Sequence, residues 1–364
     1  MRFLFDAHHP AHVHFFRHLL GELRKEGHET LVVVRDKDCT VALLDEFGIP
    51  FHRLAPCRGG VAGLALEMAE RHLRLSAIVA RFRPDLLVGI AGLTLTHVGR
   101  LRGTPSVVFT DTEHARLSHF LFLRWATAIC TPSCYPRRYG ARQVSYPSYH
   151  ELAYLHPRRF DASRADEILA ARGLASDRPF VVCRFVSWKA AHDIGKRGFS
   201  RDQIRPLLDG LSRFGDVYVS SEARLPPEFD RHRLPTRTTE IHHALARAAL
   251  YVGEGATMAS EAAVLGTPAI YVNPLRVCYV TEEEERYGLV RQFATPRVDS
   301  VIRAAEELLS PAGRERARDG HRRLLADKID LTAWMKDRLL DAVTRVSRRD
   351  RASSGCSRRR ESTR

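Results

Sequence analysis

Two glycines, a hydroxyl and a carboxylate lie near residue 255 at spacings that suit nucleotide binding. The chain reads Tyr-Val-Gly-Glu-Gly-Ala-Thr-Met-Ala-Ser-Glu over 251–261. Gly253 and Gly255 have no Cβ atom, so the backbone can turn sharply and let a phosphate approach N–H groups that the next helix makes electropositive. Thr257 and Glu261 are four residues apart and share one helix face, where the carboxylate can accept both hydroxyls of a ribose. The alternative is an ordinary strand-to-helix connection with a capped helix.

Four histidines occur within seven residues near the start of the chain. They follow an acid in the stretch Asp-Ala-His-His-Pro-Ala-His-Val-His over 6–14. Pro10 suits a first helical position, which puts His12 in the first turn, where the helix dipole favours a neutral ring that can accept a proton. We predict that His9 and His12 act as a base or contact the substrate. The alternatives are a metal site that uses Asp6 and solvated histidines at a helix start.

A third polar group, with two carboxylates and one imidazole, directly follows the apolar run 107–109. It comprises Asp111, Glu113 and His114 in the stretch Thr-Asp-Thr-Glu-His-Ala over 110–115. We predict acid or base chemistry for these side chains. The alternative is that Asp111 or Thr112 caps the next helix without taking part in chemistry.

Basic and aromatic side chains follow a predicted strand in the second half of the chain. This stretch reads Arg-Phe-Val-Ser-Trp-Lys over 184–189. Arg184 and Lys189 can neutralise a diphosphate, and Trp188 offers a flat surface for a base or a sugar. The alternative is a basic surface loop whose tryptophan packs into the core. Farther along, the glutamate run 282–285 is predicted to open a helix, where acids complement the helix dipole.

The elements that must position these groups alternate between strands and helices. Predicted strands lie at 2–5, 29–34, 86–88, 104–110, 179–183, 216–221, 250–252 and 269–272, and predicted helices lie at 10–25, 41–47, 65–82, 240–248, 301–309 and 314–346. This alternation predicts an α/β fold with mostly parallel, doubly wound sheets whose loops at the carboxyl ends of strands carry the site. We predict an N-terminal domain over 1–160, a C-terminal nucleotide-binding domain over 161–335, and the end of a helix with a basic tail over 336–364.

Composition limits the classes of function. The net charge is +14 over 364 residues, and seven arginines against two acids give the tail 346–364 a share of +5, which leaves +9 for the body. The tail has no apolar periodicity, so we expect it to be disordered. The body's charge suits an anionic substrate or anionic lipid head groups, whereas no recognition motif points to dedicated nucleic-acid binding. Scattered cysteines without metal spacing, together with the lack of a signal peptide or an apolar span, predict a cytoplasmic protein with free thiols.

The glycine segment and the residues after it resemble a known donor-nucleotide motif. Gly-x-Gly-x-Thr-x-x-x-Glu-Ala followed by Leu-Gly-x-Pro is similar to the nucleotide segment of GT-B enzymes, which include UDP-N-acetylglucosamine 2-epimerases and the lipid II-forming GlcNAc transferase. Together with the histidine stretch and the 184–189 stretch, it resembles an archaeal and bacterial family of DUF354 type over about residues 1–335. The resemblance implies two Rossmann-like domains that face each other across a cleft, with Gly255, Ala256 and Thr257 at the diphosphate and Glu261 at the ribose.

The same resemblance implies a nucleotide-sugar enzyme. We expect a UDP-sugar glycosyltransferase with a sugar, lipid-phosphate or small-molecule acceptor; the alternatives are a 2-epimerase and a non-catalytic nucleotide-sugar-binding protein. By position, Glu113 is the counterpart of an acid/base glutamate in the epimerases. The loop over 89–97, however, lacks the aspartate that epimerases place near there. A homodimer and a peripheral membrane contact are compatible with the sequence.

Neither a cofactor nor a metal ion is expected. GT-B enzymes generally neutralise the leaving diphosphate with helix N-termini and basic side chains, and Arg184 and Lys189 are suitable here. The stretch Asp36-Lys37-Asp38 matches a metal-binding acidic pair in its letters, but it lies far along the chain from the nucleotide segment. We interpret it as a helix cap.

Overall fold

A computed structural model describes residues 1–36, 39–56, 58, 60–114, 116–174, 178–185, 198–221 and 225–345. Within these residues the chain forms two compact units. The first unit comprises Met1–Ser133, Arg137–Tyr146 and 330–345, and the second comprises Cys134–Pro136 and Pro147–Ile329. The predicted α/β class is confirmed, whereas the predicted cleft between two domains stays a prediction. Lys37, Asp38, Lys189 and the tail 346–364 lie outside the described residues.

The first unit is built on a parallel sheet of seven strands in the order β3-β2-β1-β4-β5-β6-β7. Its strands are β1 (Arg2–Ala7), β2 (Glu29–Asp36), β3 (Phe51–Pro56), β4 (Leu86–Ile90), β5 (Ser106–Phe109), β6 (Ala128–Pro132) and β7 (Gln143–Tyr146). Its helices are α1 (Pro10–Lys25), α2 (Thr40–Glu46), α3 (Gly60–Phe82), α4 (Leu93–Arg102) and α5 (Arg116–Phe122), and residues 331–345 are also helical. The strand order reverses between β1 and β4, and parallel sheets bind ligands outside the carboxyl ends of strands at such a switch point.

The second unit has a parallel sheet of five strands in the order β12-β11-β10-β8-β9. It contains α6 (Ala165–Ala170), β8 (Phe180–Arg184), α7 (Arg201–Leu211), β9 (Asp216–Ser220), α8 (Ile241–Arg247), β10 (Leu250–Gly253), α9 (Ala256–Val264), β11 (Ala269–Val272), α10 (Cys278–Glu285), β12 (Val290–Phe293), α11 (Val298–Leu309) and α12 (Pro311–Asp327). Here the switch point lies between β8 and β10. Val181, Val252 and Ile270 are fully buried in the core under this sheet.

Two predicted helices differ from the structure. The helix predicted over 314–346 is interrupted, because α12 ends at Asp327 and a second helical stretch begins at 331. The glutamate run does not open a helix: α10 begins at Cys278, so Glu282–Glu285 form its last turn. Acids are unfavourable at that end of the dipole, and nearby cations compensate, with Lys328 Nζ 2.7 Å from Glu282 and Arg276 near Glu284 and Glu285.

None of the described helices is both long and apolar enough to cross a membrane. The cysteines among the described residues are all free.

Candidate nucleotide and acid–base sites

The turn from β10 into α9 carries the predicted nucleotide segment and lies at the switch point of the second sheet. Gly253 ends β10 and is paired in register with Arg184, the last residue of β8. Gly255 is the N-cap of α9. The first turn of the helix is partly accessible, whereas the residues from Ala259 to Val264 are buried. The phosphate-facing part of the predicted motif is therefore the part that solvent reaches.

The two glycines serve different purposes. The chain passes from β10 to α9 within two residues, but neither glycine has a positive φ, and Gly255 is extended at φ −94° and ψ 122°. A Cβ atom on Gly253 would lie 2.2 Å from the Tyr251 hydroxyl and 2.8 Å from the Arg184 carbonyl oxygen, so packing requires this glycine. A Cβ on Gly255 would have no atom of the described residues within 4 Å. The protein's own packing therefore leaves the backbone at Gly255 approachable.

Glu261 is held by two hydrogen bonds within the second unit. The Tyr154 hydroxyl donates to Oε1 over 2.7 Å, and Nε2 of His242 lies 3.0 Å from the same oxygen. The carboxylate is only 5% exposed, and the Tyr154 and His242 rings pack with their centroids 5.3 Å apart. No described residue donates to Oε2. One oxygen thus fixes the side chain while the other remains for a further donor.

Sequence reasoning missed three residues of this site. Glu254, between the glycines, accepts a 2.5 Å hydrogen bond from the Phe199 N–H group, and its carbonyl oxygen accepts one from Asn273 over 3.1 Å. Tyr154 lies 107 positions from Glu261, so no local pattern could reveal it. His242 carried a weak signal in the pair His242-His243, to which the sequence alone assigned no role.

The predicted phosphate cations are only partly described. Arg184 is partly buried at the end of β8 and donates from Nη1 to the Ser220 hydroxyl over 3.3 Å. Its place at the carboxyl end of a strand beside Gly253 agrees with the predicted position. Lys189 lies outside the described residues, so its role stays a prediction.

The histidine cluster lies at the switch point of the first sheet, where β1 passes into α1. Pro10 is the first residue of α1, as predicted, and His9 caps the helix by accepting the Ala11 N–H group at Nδ1 over 3.2 Å. His12 is buried in the first turn, with its ring centroid 4.4 Å from that of His8 and 5.9 Å from that of His9. The structure therefore brings three of the four imidazoles together.

Asp6 lies fully buried beneath this cluster. Its oxygens are 3.9 Å from Nδ1 of His8 and 3.8 Å from Nη2 of Arg71, a buried residue of α3. Burial by itself would raise the pKa of Asp6, but His8 and Arg71 outweigh it and hold the pKa below its usual value. Among the residues that the structure describes, no group of three or more His, Cys, Asp or Glu is arranged to hold a metal ion.

Asp111, Glu113 and His114 lie between the carboxyl end of β5 and α5. Only β4 separates β1 from β5, so this loop and the histidine cluster lie along one edge of the same sheet. Nε2 of His114 is 4.0 Å from Glu113, and Asp111 accepts a hydrogen bond from Thr112 over 3.1 Å. The capping alternative is wrong, because α5 begins at Arg116, several residues after Asp111 and Thr112.

Two further sequence predictions concern neighbouring loops. After β4, Ala91 and Gly92 have left-handed backbones, with φ of 60° and 57°, and this connection carries no carboxylate. The interpretation of Asp36 or Asp38 as a helix cap is not supported, because Asp36 ends β2 and Cys39 is the N-cap of α2. The predicted acid–base residues thus belong to the first unit and the nucleotide residues to the second.

Two doubly wound parallel sheets, each with candidate site residues at its switch point, define this protein as a member of the GT-B fold class. The UDP-GlcNAc 2-epimerase of Neisseria meningitidis, solved with bound UDP-GlcNAc, matches with a TM-score of 0.66 at 11% identity, over 94% of this chain and 100% of that one. MurG of Acinetobacter baumannii matches with a TM-score of 0.58 at 13% identity, over 93% and 99%. At such identities the similarity shows a shared fold.

The chain belongs to the family described as protein of unknown function (DUF354), whose model matches residues 2–343. A relative from Methanocaldococcus jannaschii, named Uncharacterized protein MJ0665, is 23% identical over 322 residues, which are 84% of this chain and 90% of the relative. The family and the fold expected from the sequence motifs are both confirmed.

Proposed function

We propose that this protein is an enzyme that binds a nucleotide sugar, a UDP-sugar, in its second unit and transfers the sugar to an acceptor. The observation that carries the proposal is Glu261, a buried carboxylate at the sheet's switch point with one oxygen held by Tyr154 and His242. Two donors on one oxygen fix the side chain's position before any ligand binds. A ribose diol can then donate to the other oxygen, a charge-assisted interaction.

The neighbouring groups suit the diphosphate. The N-terminus of α9 attracts anions, and the open space beside Gly255 lets a phosphate approach the backbone N–H groups. Arg184, and Lys189 by prediction, would neutralise the leaving diphosphate, a task that other transferases give to a metal ion. We therefore propose that neither a metal ion nor a cofactor takes part. We also propose that the enzyme acts in the cytoplasm.

The first unit would supply the acid–base groups. Sugar transfer needs a base for an acceptor hydroxyl, and His12 lies buried at the carboxyl edge of the sheet, with His9 beside it. Asp111, Glu113 and His114 lie along the same edge and would complete this group. We expect the acceptor to be a sugar, a lipid-phosphate molecule or another small molecule that presents a hydroxyl group.

A 2-epimerase is the second candidate, and the position of Glu113 favours it. Epimerisation by elimination needs carboxylates on both sides of the sugar ring, and Glu113 would be one of them. The loop after β4 carries no partner carboxylate, which is why we prefer transfer. Incubation with UDP-GlcNAc in deuterated water separates the two, because deuterium at C2 of the recovered sugar would establish epimerisation.

Calorimetric titration with UDP and with 2′-deoxy-UDP tests the nucleotide site. Wild type is expected to bind UDP more tightly than 2′-deoxy-UDP. Glu261→Ala should weaken UDP affinity by about 10- to 100-fold, the effect of losing a hydrogen bond to a charged group. The variant should also lose the preference for UDP over 2′-deoxy-UDP. His242→Gln should reduce the preference in part, because it loosens the carboxylate. Equal UDP affinity in wild type and Glu261→Ala would refute the ribose assignment.

The test needs a matched control and a measure of turnover. Glu307→Gln changes an exposed glutamate of the same unit that lies on α11 and should leave UDP affinity unchanged. Turnover of a nucleotide sugar that disappears in His12→Gln while UDP affinity persists would establish an enzyme. Binding of UDP-sugars without any turnover would instead support a non-catalytic nucleotide-sugar-binding protein.

A further inference from the structure

Exposed apolar side chains are concentrated on one part of the first unit. Of the nine large hydrophobic residues that are exposed among the described residues, seven lie on α3, α4, α5 and the turn Leu123–Trp125. The most exposed are Leu101 at 78%, Leu73 at 73% and Phe120 at 67%. We define the apolar patch as Leu66, Leu73, Leu101, Phe120, Leu121 and Trp125. Single exposed leucines are common in soluble proteins, but a group of this kind marks an interaction surface.

A histidine pair connects the helices that carry the patch. His72 of α3 lies 3.3 Å from His97 of α4 between their ring nitrogens, and Nε2 of His97 lies 3.2 Å from the Leu121 carbonyl oxygen. The His97 ring also approaches Trp125, with centroids 6.5 Å apart. Leu73 follows His72, and Leu101 lies one turn beyond His97. These contacts place α3, α4 and the segment 121–125 next to one another.

Arginines flank the aromatic and leucine side chains of the patch. The Arg124 guanidinium lies over the rings of Phe120, at 5.3 Å, and Trp125, at 4.8 Å. Arg100 and Arg102 flank Leu101, and both are exposed. None of these three arginines pairs with an acid among the described residues, and α4, α5 and the turn Leu123–Trp125 contain no acidic residue. On α3, Glu70 is already paired with Arg58 and Arg74.

We propose that the apolar patch and its three arginines bind the surface of an anionic lipid bilayer. Leucine and aromatic side chains enter the boundary between head groups and acyl chains, while arginines extend their heads to the lipid phosphates. A second copy of the chain fits poorly, because a twofold interface through the patch would bring two sets of these three arginines into one contact, and α4, α5 and the turn Leu123–Trp125 offer no acid to pair with them. The patch belongs to the first unit and the predicted nucleotide segment to the second, and the proposal does not depend on the proposed reaction.

Sedimentation of the full-length protein with lipid vesicles tests the proposal. Wild type should bind vesicles of equal parts phosphatidylcholine and phosphatidylglycerol, and bind pure phosphatidylcholine much less. Leu101→Ser/Phe120→Ser/Trp125→Ser and Arg100→Glu/Arg124→Glu should each weaken binding to the anionic vesicles by about tenfold or more. The control Leu275→Ser/Arg316→Glu makes the same kinds of change on exposed residues of the second unit and should bind as wild type does. The basic tail is identical in all of these proteins, so it cannot explain a difference between them.

Two further measurements keep the result unambiguous. Every variant should retain the wild-type melting temperature and UDP affinity, which excludes unfolding as the cause. Emission from Trp125 should be quenched by brominated lipid in wild type and not in Trp125→Phe, which retains a membrane-seeking ring. Absence of binding to anionic vesicles, or equal binding by patch and control variants, would overturn the proposal. A dimer that dissociates only in the patch variants would show that a second copy covers the surface instead.

Discussion

The two units differ in how closely their candidate site residues are held. In the second unit, Glu261 is bound at 2.7 and 3.0 Å by a tyrosine and a histidine. In the first unit, Asp6 lies 3.8 Å from Nη2 of Arg71 and 3.9 Å from Nδ1 of His8, and Glu113 lies 4.0 Å from Nε2 of His114. Short hydrogen bonds fix geometry, whereas charges at 4 Å attract one another without fixing it. Among the described contacts, those around Glu261 therefore fix its carboxylate more closely than those around Asp6.

The largest effect should come from replacing the predicted acid–base residues of the first unit. His12→Gln and Glu113→Gln are each expected to lower kcat by about 10²- to 10⁴-fold, the usual contribution of a general acid or base, while UDP affinity stays unchanged. His28→Gln, in the same unit, is the control and should retain activity. Steady-state kinetics with a UDP-sugar, combined with calorimetry, measure both quantities. A parallel loss of UDP affinity would contradict the division of work between the units.

A smaller effect, on stability alone, should come from a second buried glutamate near the nucleotide segment. Glu283 of α10 is fully buried and accepts a hydrogen bond from Ser260, and burial raises its pKa to about 8. An acid whose pKa is higher in the folded state destabilises the protein as pH rises from the unfolded value, 4.5, to about 8. Glu283→Gln removes this cost and should raise stability at pH 7 by about 3 kcal/mol.

Thermal unfolding of both proteins between pH 4 and pH 9 measures the difference. The gain from Glu283→Gln should be absent near pH 4, grow until about pH 8 and then remain constant. UDP affinity should not change, which separates this glutamate from Glu261. Equal pH profiles for wild type and Glu283→Gln would show that Glu283 is ionised in the folded protein.

The smallest effects should separate the two glycines. Gly253→Ala is expected to lower the free energy of unfolding by about 1–3 kcal/mol, because its Cβ has no room beside Tyr251 and Arg184. The Cβ of Gly255→Ala meets no atom of the part of the chain that the structure describes, so stability should hold while UDP affinity falls by a few-fold through crowding of the phosphate. Denaturant unfolding and calorimetry check the pair. Unchanged UDP affinity in Gly255→Ala would place the diphosphate away from this backbone.

Local patterns in the sequence were sufficient to predict the framework. The predicted strand over 269–272 and the predicted helix over 10–25 agree with β11 and α1, because apolar periodicity, Pro10 and the flanking glycines act within a few residues. The same patterns place the polar groups at the carboxyl ends of β1, β5, β8 and β10. The run 282–285 was predicted to begin a helix, because acids favour that end of the helix dipole. In the structure it ends α10, where nearby cations offset the unfavourable dipole.

Only the tertiary structure decided what surrounds each polar group. Tyr154 and His242 come from separate parts of the chain to the same oxygen of Glu261, and Arg71 reaches Asp6 from another helix. The sequence by itself determined the fold class, the family and the edges of the sheets on which chemistry would lie, since these follow from short-range pattern and motif. Which carboxylate is fixed, which is paired and which is protonated depends on burial and on contacts between distant residues, and those exist only once the chain has folded.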